Sequence, residues 1–420
     1  MIKFDSSNSL SNLNYNDHTN KLKNIIDKMK DGSAKGSEFL GWSKMFFNYD
    51  FSLLDNINET TRLLNKKANT MLVIGIGGSY LGTLAIDEAL TGRGLNSSKK
   101  LIYAGHNISS DYLSEIYEYC QNNDFVINVI SKSGTTLESA LSFRIFKQLL
   151  IDKYGEEALK DRLVITTDAK KGSLRQIASE YQSISFEIPN DVGGRYSVFT
   201  PVGLVPLSFI GIDIKKIIEG ACLAAKDFYQ YDKYNTAFDY AINRYHQYES
   251  GKSMEALVVY NPSFASLIEW YRQLFAESEG KDGKGLFPVG CIYSTDLHAV
   301  GQFIQDGPEI GFETVLKINN SKKKLDIPMS KDDYDNINRL TKYSLDDINS
   351  IITESVISAH SQNGVTPNYV LELDELNEKS LGYLMSFMMY ACAYSAYLLD
   401  VNPFDQPGVE IYKKEIKKKL

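Results

Sequence analysis

Several side chains in this sequence have the types and spacing to do acid–base chemistry on an anionic molecule. The first group is the hexapeptide Ser131-Lys132-Ser133-Gly134-Thr135-Thr136. It follows an apolar run, Phe125–Ile130, that predicts a buried parallel strand, and it precedes residues 137–150, where apolar residues recur at helical spacing. A strand-to-helix turn presents unpaired N–H groups and the positive end of a helix dipole. Hydroxyls add neutral donors, and Gly134 lets the backbone approach a ligand closely. The turn therefore reads as a phosphate cradle for a small phosphorylated molecule, with Ser131, Ser133 and Thr136 among its hydroxyls. Ser and Thr are also ordinary N-cap residues, so a plain capped turn uses the same residue types.

Three further groups could act on such a ligand. Glu277 falls in the last turn of a predicted helix whose apolar face is Phe264, Leu267, Ile268, Tyr271, Leu274 and Phe275; Gln273 lies four residues before it. The negative end of the dipole and Glu279 would both oppose ionisation of Glu277, which suits a general base. An exposed helix-end glutamate is the competing reading. Arg195 follows the Gly193-Gly194 bend, where it could stabilise developing negative charge or pair a structural carboxylate. His298 stands just past a predicted strand end, placed either to move protons or to fill the core.

Other motifs fail. Gly75-Ile76-Gly77 has Tyr80 where a dinucleotide fingerprint needs its third glycine, and no acid follows the next strand for a ribose hydroxyl. That turn still offers N–H groups and the Ser79 hydroxyl to an oxygen-rich ligand. Gly251-Lys252-Ser253 lacks the earlier glycine of a P-loop. The four cysteines and five histidines are scattered, without metal-ligand or disulfide spacing. Hence neither a metal site nor a nicotinamide or flavin cofactor is expected.

The chain of 420 residues, 43% hydrophobic and 23% charged, is that of an ordinary globular protein with about two to three domains. Its net charge of −8 argues against nucleic acid or an anionic membrane as partner. Residues 1–20 are polar and lack the apolar region of a signal peptide. Residues 381–399 carry no charge, but their six Tyr and Ser hydroxyls would be costly in lipid; a helix buried in the core or a subunit interface is expected, and a cytoplasmic location with it.

The elements that must position these groups follow from the pattern. Residues 1–65 carry short helical patterns and read as a helical covering segment. Strands are predicted within 71–74, 101–104, 125–130, 163–166 and 186–188, then 256–260, 286–293, 314–318 and 369–373. Helical patterns separate most of them, so the fold class is α/β, with two doubly wound parallel sheets. Residues 319–335 read as an exposed excursion, and Pro407 opens a C-terminal helix. Ligands of such sheets bind beyond the strand carboxyl ends at a switch point, so the turns after Ile74 and Ile130 should face one crevice.

Taken together, Gly75-Ile76-Gly77-Gly78-Ser79, the 131–136 turn, Gly193-Gly194-Arg195-Tyr196-Ser197, Glu277-Ser278-Glu279-Gly280-Lys281, Thr295-Asp296-Leu297-His298 and the run from Asp405-Gln406-Pro407 to Lys413 resemble the glucose-6-phosphate isomerase family in its shorter bacterial form. The resemblance implies a helical N-terminal segment (1–65), sugar-isomerase (SIS) domains at 66–195 and 196–400, and a C-terminal helical arm (401–420). It implies a homodimer, a sugar-phosphate substrate and no cofactor. It assigns Glu277 as the base, Arg195 to the enediolate, and His298 and Lys413 to ring opening, with the histidine reaching the site from the partner subunit. Ser131, Ser133 and Thr136 would hold phosphate; Ser79, Gln273 and Gln406 would line the sugar. Phe199 and Thr366 depart from the family pattern. An isomerase of another sugar phosphate and a non-catalytic sugar-phosphate sensor are the alternative readings.

Overall fold

The structure is a computed structural model that describes residues 2–10, 18–92, 97–362 and 366–420. Residues 11–17 of the polar N-terminal stretch lie outside the described residues. The strands, in chain order, are β1 (Ile2–Asn8), β2 (Thr70–Ile74), β3 (Lys100–Ala104), β4 (Phe125–Ile130), β5 (Leu163–Thr167), β6 (Ile184–Glu187), β7 (Met254–Val259), β8 (Phe287–Ile292), β9 (Gly311–Asn320) and β10 (Asn368–Glu375). All nine expected strands are present, with shifted ends.

The first sheet runs β3-β2-β4-β5-β6 and is parallel throughout. Every residue of β2, β4 and β5 is buried, which is why these strands read as unbroken apolar runs: helices cover both faces. β2 lies between β3 and β4, so the chain reverses its winding direction there and opens a crevice between β2 and β4. The turns at residues 75–79 and 131–136 leave these two strands at that switch point.

The second sheet repeats the plan as β8-β7-β9-β10-β1, with β7 between β8 and β9. It is not wholly parallel. β1 adds to its edge antiparallel to β10, pairing Ile2 with Leu373 and Phe4 with Leu371. The N-terminal segment is therefore more than a helical cover. Along β1 buried or half-buried residues alternate with exposed ones, and only Ile2 is fully buried, so the strand carries little apolar signal of its own. Leu40, Trp42, Ile26 and Met29 of the same segment are fully buried in the main core.

Residues 381–399 form most of a core helix, Glu378–Leu398, opened by a reciprocal Asn377–Ser380 cap. Most of its hydroxyls find partners: Tyr383 donates to Asp227 at 2.8 Å, Tyr397 to the Lys35 carbonyl at 3.1 Å, and Tyr394 to the Phe228 carbonyl; the buried Ser386 hydroxyl has none. Among the described residues no helix is long and apolar enough to cross a membrane. The excursion after Asn320 is exposed, tied by a bridge between Asp326 and Ser344 and by the Ser321 hydroxyl, which donates to Asp346 at 2.6 Å. Pro407–Lys419 is the expected C-terminal helix, lying on the surface.

The core helix crosses Ile214–Phe228 at very short range. A Cβ on Gly382 would stand 2.1 Å from the Ile217 carbonyl oxygen, and one on Gly220 would stand 1.9 Å from that of Lys379. These are backbone atoms, so the helices themselves must part to admit a methyl group. Gly382→Ala should lower stability by about 1–3 kcal/mol through overpacking; an unchanged urea midpoint would show that the crossing yields freely.

Candidate active site

The hydroxyl turn is fixed from below. The Ser131 N–H donates to the Thr166 carbonyl at 3.1 Å and the Thr167 hydroxyl to the Ser131 carbonyl at 2.7 Å. Gly134 has φ +72°, and a Cβ there would meet Ser173 Oγ at 2.4 Å, so the turn requires glycine at this point. Ser131 Oγ accepts from the Gly134 N–H at 3.0 Å; Ser133 Oγ accepts from the Thr135 N–H at 3.2 Å. Thr136 occupies the N-cap position of the helix Leu137–Tyr154, yet no side chain caps that helix. The plain capping role is thus not how these hydroxyls are used. They shape a loop whose helix N–H groups remain available to an anion.

Arg195 is 3% exposed, in a short turn after β6. Its Nη1 donates to Glu277 Oε2 at 3.1 Å and to Gln406 Oε1 at 2.7 Å. Its Nε donates to Ser278 Oγ at 2.9 Å, and Nη2 donates to the carbonyls of Glu277, Pro403 and Asp405. Gln273 Nε2 donates to Glu277 Oε1 at 3.1 Å. Glu277 is therefore not a solvated helix-end glutamate; both its oxygens are held. The sheet switch point adjoins this cluster. A Cβ on Gly77 would lie 2.7 Å from Gln273 Nε2, and one on Gly78 would lie 2.1 Å from the Gly194 carbonyl oxygen. Ser79, in the same turn, is half-buried.

The structure corrects one electrostatic expectation. Glu279 does not bear on Glu277. It turns into the core and forms an ion pair with Arg244. The carboxylate of Glu277 faces Arg195 instead.

Two lysines missed as functional residues hold the parts together. Lys132 donates to the Asn190 carbonyl at 2.9 Å, tying the hydroxyl turn to the loop that carries Arg195. Burial lowers its pKa, against the pull of Asp168 and Asp191. Lys281 donates to the Ser278 carbonyl at 2.8 Å and the Asn402 carbonyl at 2.5 Å, which fixes the strand of chain bearing Gln406. Burial lowers its pKa as well, with the Arg195 charge adding to the effect. The N-terminal segment supports the same loop: the Gly41 N–H donates to the Asp191 carbonyl at 3.0 Å, and Trp42 stacks on Tyr196 with centroids 4.9 Å apart.

Two expected residues stand apart. His298 is exposed in the first turn of the helix Leu297–Asp306 and is not a core histidine. Lys413 is exposed and pairs with Glu410 at 2.9 Å. Neither bonds the Glu277 carboxylate. The buried histidine is His360, which meets Glu313 at 2.7 Å. Among the described residues no group of three His, Cys, Asp or Glu side chains could hold a metal ion.

Two doubly wound sheets, with the hydroxyl turn following β4 and the Arg195–Glu277 pair beside the turn that follows β2, define an α/β protein. The phosphoglucose isomerase family model matches residues 59–287, and the chain belongs to that family. It is 44% identical to the glucose-6-phosphate isomerase of Mycoplasma capricolum over 100% of this chain and 99% of that protein. It is also 44% identical to the one from Staphylococcus saprophyticus, over 94% of this chain and 90% of the relative. Among solved structures, hypothetical protein TT0462 from Thermus thermophilus superposes with a TM-score of 0.88 at 25% identity, covering 100% of this chain and 99% of the other. A glucose-6-phosphate isomerase from Chlamydia trachomatis has the same fold, with a TM-score of 0.84 at 19% identity over 99% of this chain and 88% of the other.

Lys281→Met removes a charged donor from the 402–406 loop. Such a bond is worth about 1.5–3 kcal/mol, so amide hydrogen exchange across residues 402–406 should quicken by about tenfold or more. Unchanged exchange would mean that Arg195 alone fixes the loop.

Proposed function

We propose that the chain is an aldose–ketose isomerase interconverting D-glucose 6-phosphate and D-fructose 6-phosphate, in glycolysis and gluconeogenesis. One observation carries this reading: Arg195 and Gln273 hold the Glu277 carboxylate beside the turns of the sheet switch point. Moving hydrogen between adjacent sugar carbons needs one carboxylate base and a cation next to the oxygen that becomes negative. Glu277 takes the proton from C2 of the open-chain aldose and returns it to C1, while the hydroxyl proton passes from O2 to O1. Arg195 Nη1 stabilises the cis-enediolate between these steps. Ser131, Ser133, Thr136 and the helix N-terminus hold the phosphate. Ser79, Gln273 and Gln406 line the sugar.

Ring opening is assigned to His298 and Lys413. Neither bonds the Glu277 carboxylate within one chain, and this reading places the histidine in the site of a second copy, in a homodimer. The division into sugar-isomerase units at 66–195 and 196–400, between an N-terminal segment (1–65) and a C-terminal arm (401–420), and the cytoplasmic location, belong to the same reading. No metal or organic cofactor takes part. A sugar-phosphate sensor would need the hydroxyl turn but has no use for a base held against a guanidinium.

Glu277→Gln should lower kcat by about 10²–10⁴-fold in a coupled assay with glucose 6-phosphate. Binding of the sugar phosphate, read by titration calorimetry, should persist. Substantial turnover by this variant would remove Glu277 as the base. His298→Ala should slow turnover of the cyclic sugar more than that of an open-chain substrate; equal losses would remove His298 from ring opening.

A further inference from the structure

Behind the site lies a charged cluster that the isomerase chemistry does not itself require. Arg244, Glu255 and Glu279 are all wholly buried. Arg244 Nε donates to Glu255 Oε2 at 2.5 Å, on β7, an inner strand of the second sheet. Nη1 donates to Ser395 Oγ of the core helix at 2.6 Å. Nη1 and Nη2 together grip the two oxygens of Glu279, the second at 3.3 Å. The guanidinium also lies 4.3 Å from the Phe275 ring centroid.

One cation faces two carboxylates here, so the surplus negative charge must be met by neutral donors. It is met at Glu255, which accepts from Tyr240 at 2.5 Å, Tyr271 at 2.6 Å and Thr314 at 2.6 Å. Burial, then Glu255, pushes both tyrosine pKa values far up, so both stay protonated donors. Burial opposes the charge on Arg244, but Glu255 and Glu279 outweigh it and hold the guanidinium protonated.

The placement of this cluster is what gives it meaning. Glu277, Ser278 and Glu279 are the last three residues of the helix Ala265–Glu279. Arg195 binds the first two, through the Glu277 carboxylate and carbonyl and the Ser278 hydroxyl. Arg244 binds the third. Two guanidiniums therefore hold one three-residue segment, one of them anchored to β7, an inner strand of the second sheet. Arg244 also pairs the Glu279 charge, two residues from the base.

We propose that Arg244 is a positioning residue for proton transfer: through Glu279 it fixes the last turn of the helix and so aims the Glu277 carboxylate at the carbon that loses its proton. The proposal rests on the reading of Glu277 as the base. A lysine at 244 brings one point charge and cannot make the two-pronged contact with Glu279 together with the bond to Glu255. Displacing a catalytic group by about 1 Å can cost about 10²-fold in rate.

The test compares the full-length enzyme with Arg244→Lys and Glu279→Gln, using glucose 6-phosphate and its 2-deuterated form. For Arg244→Lys, kcat should fall by about 10–100-fold, KM should stay within about twofold, and the kinetic isotope effect should rise as proton transfer becomes slower than other steps. Glu279→Gln keeps the side-chain shape but weakens the grip, and should move kcat and the isotope effect the same way by less. A merely structural loss lowers the fraction of folded enzyme; it reduces kcat and leaves the isotope effect unchanged. That result, or a kcat unchanged in both variants, overturns the proposal. If Arg244→Lys fails to fold, Glu279→Gln decides alone. Absence of turnover by the parent enzyme would instead overturn the proposed isomerase activity, so the two failures are distinguishable.

Discussion

A carboxylate and a guanidinium 3.1 Å apart, each drawn from a different half of the chain, set the terms for the rest of the structure. Arg195 follows the last strand of the first sheet; Glu277 ends a helix that joins two strands of the second. Arg195 is buried and Glu277 half-buried; charges withdrawn from water lose hydration, and such a pair persists where further bonds meet its remaining atoms. Here Gln273, Gln406, Ser278 and three backbone carbonyls do so. The contact thus joins the two halves of the chain and closes the 402–406 loop.

The surrounding architecture supplies this contact with rigid approaches. The switch point of the first sheet puts two glycine-bearing turns side by side. Gly77 and Gly78 lack side chains where Gln273 and the Gly194 carbonyl press in. Lys132 and Lys281 act as struts between loops that have no regular pairing of their own. Both bind backbone carbonyl oxygens, and Lys281 also pairs with the Asp405 carboxylate at 3.4 Å.

What could be read from the sequence was local. Buried parallel strands are continuous apolar runs, and a hydroxyl-rich turn between strand and helix is a compact signal, so β4 and residues 131–136 were legible. The edge strand β1 was not, because polar residues alternate along it and its partner lies at the far end of the chain. The charged core was hidden for a different reason. Arg244, Glu255 and Glu279 lie 11 and 35 residues apart, and each alone reads as a surface charge. One signal was available: Glu255 interrupts the otherwise apolar run of β7, and a lone acid inside a buried strand demands a partner. The same cluster explains why Glu279, adjacent in sequence to the base, has its charge directed elsewhere.

The edge pairing of β1 with β10 also orders events in time. Ile2 must wait for Leu373. At about 5–20 residues per second, a growing chain needs roughly 20–70 s to supply that partner. The first sheet draws only on residues 70–187 and can close much earlier. The residues of β1 are therefore secured later than those of the first sheet, and the second sheet stays unfinished along one border until β10 has been made.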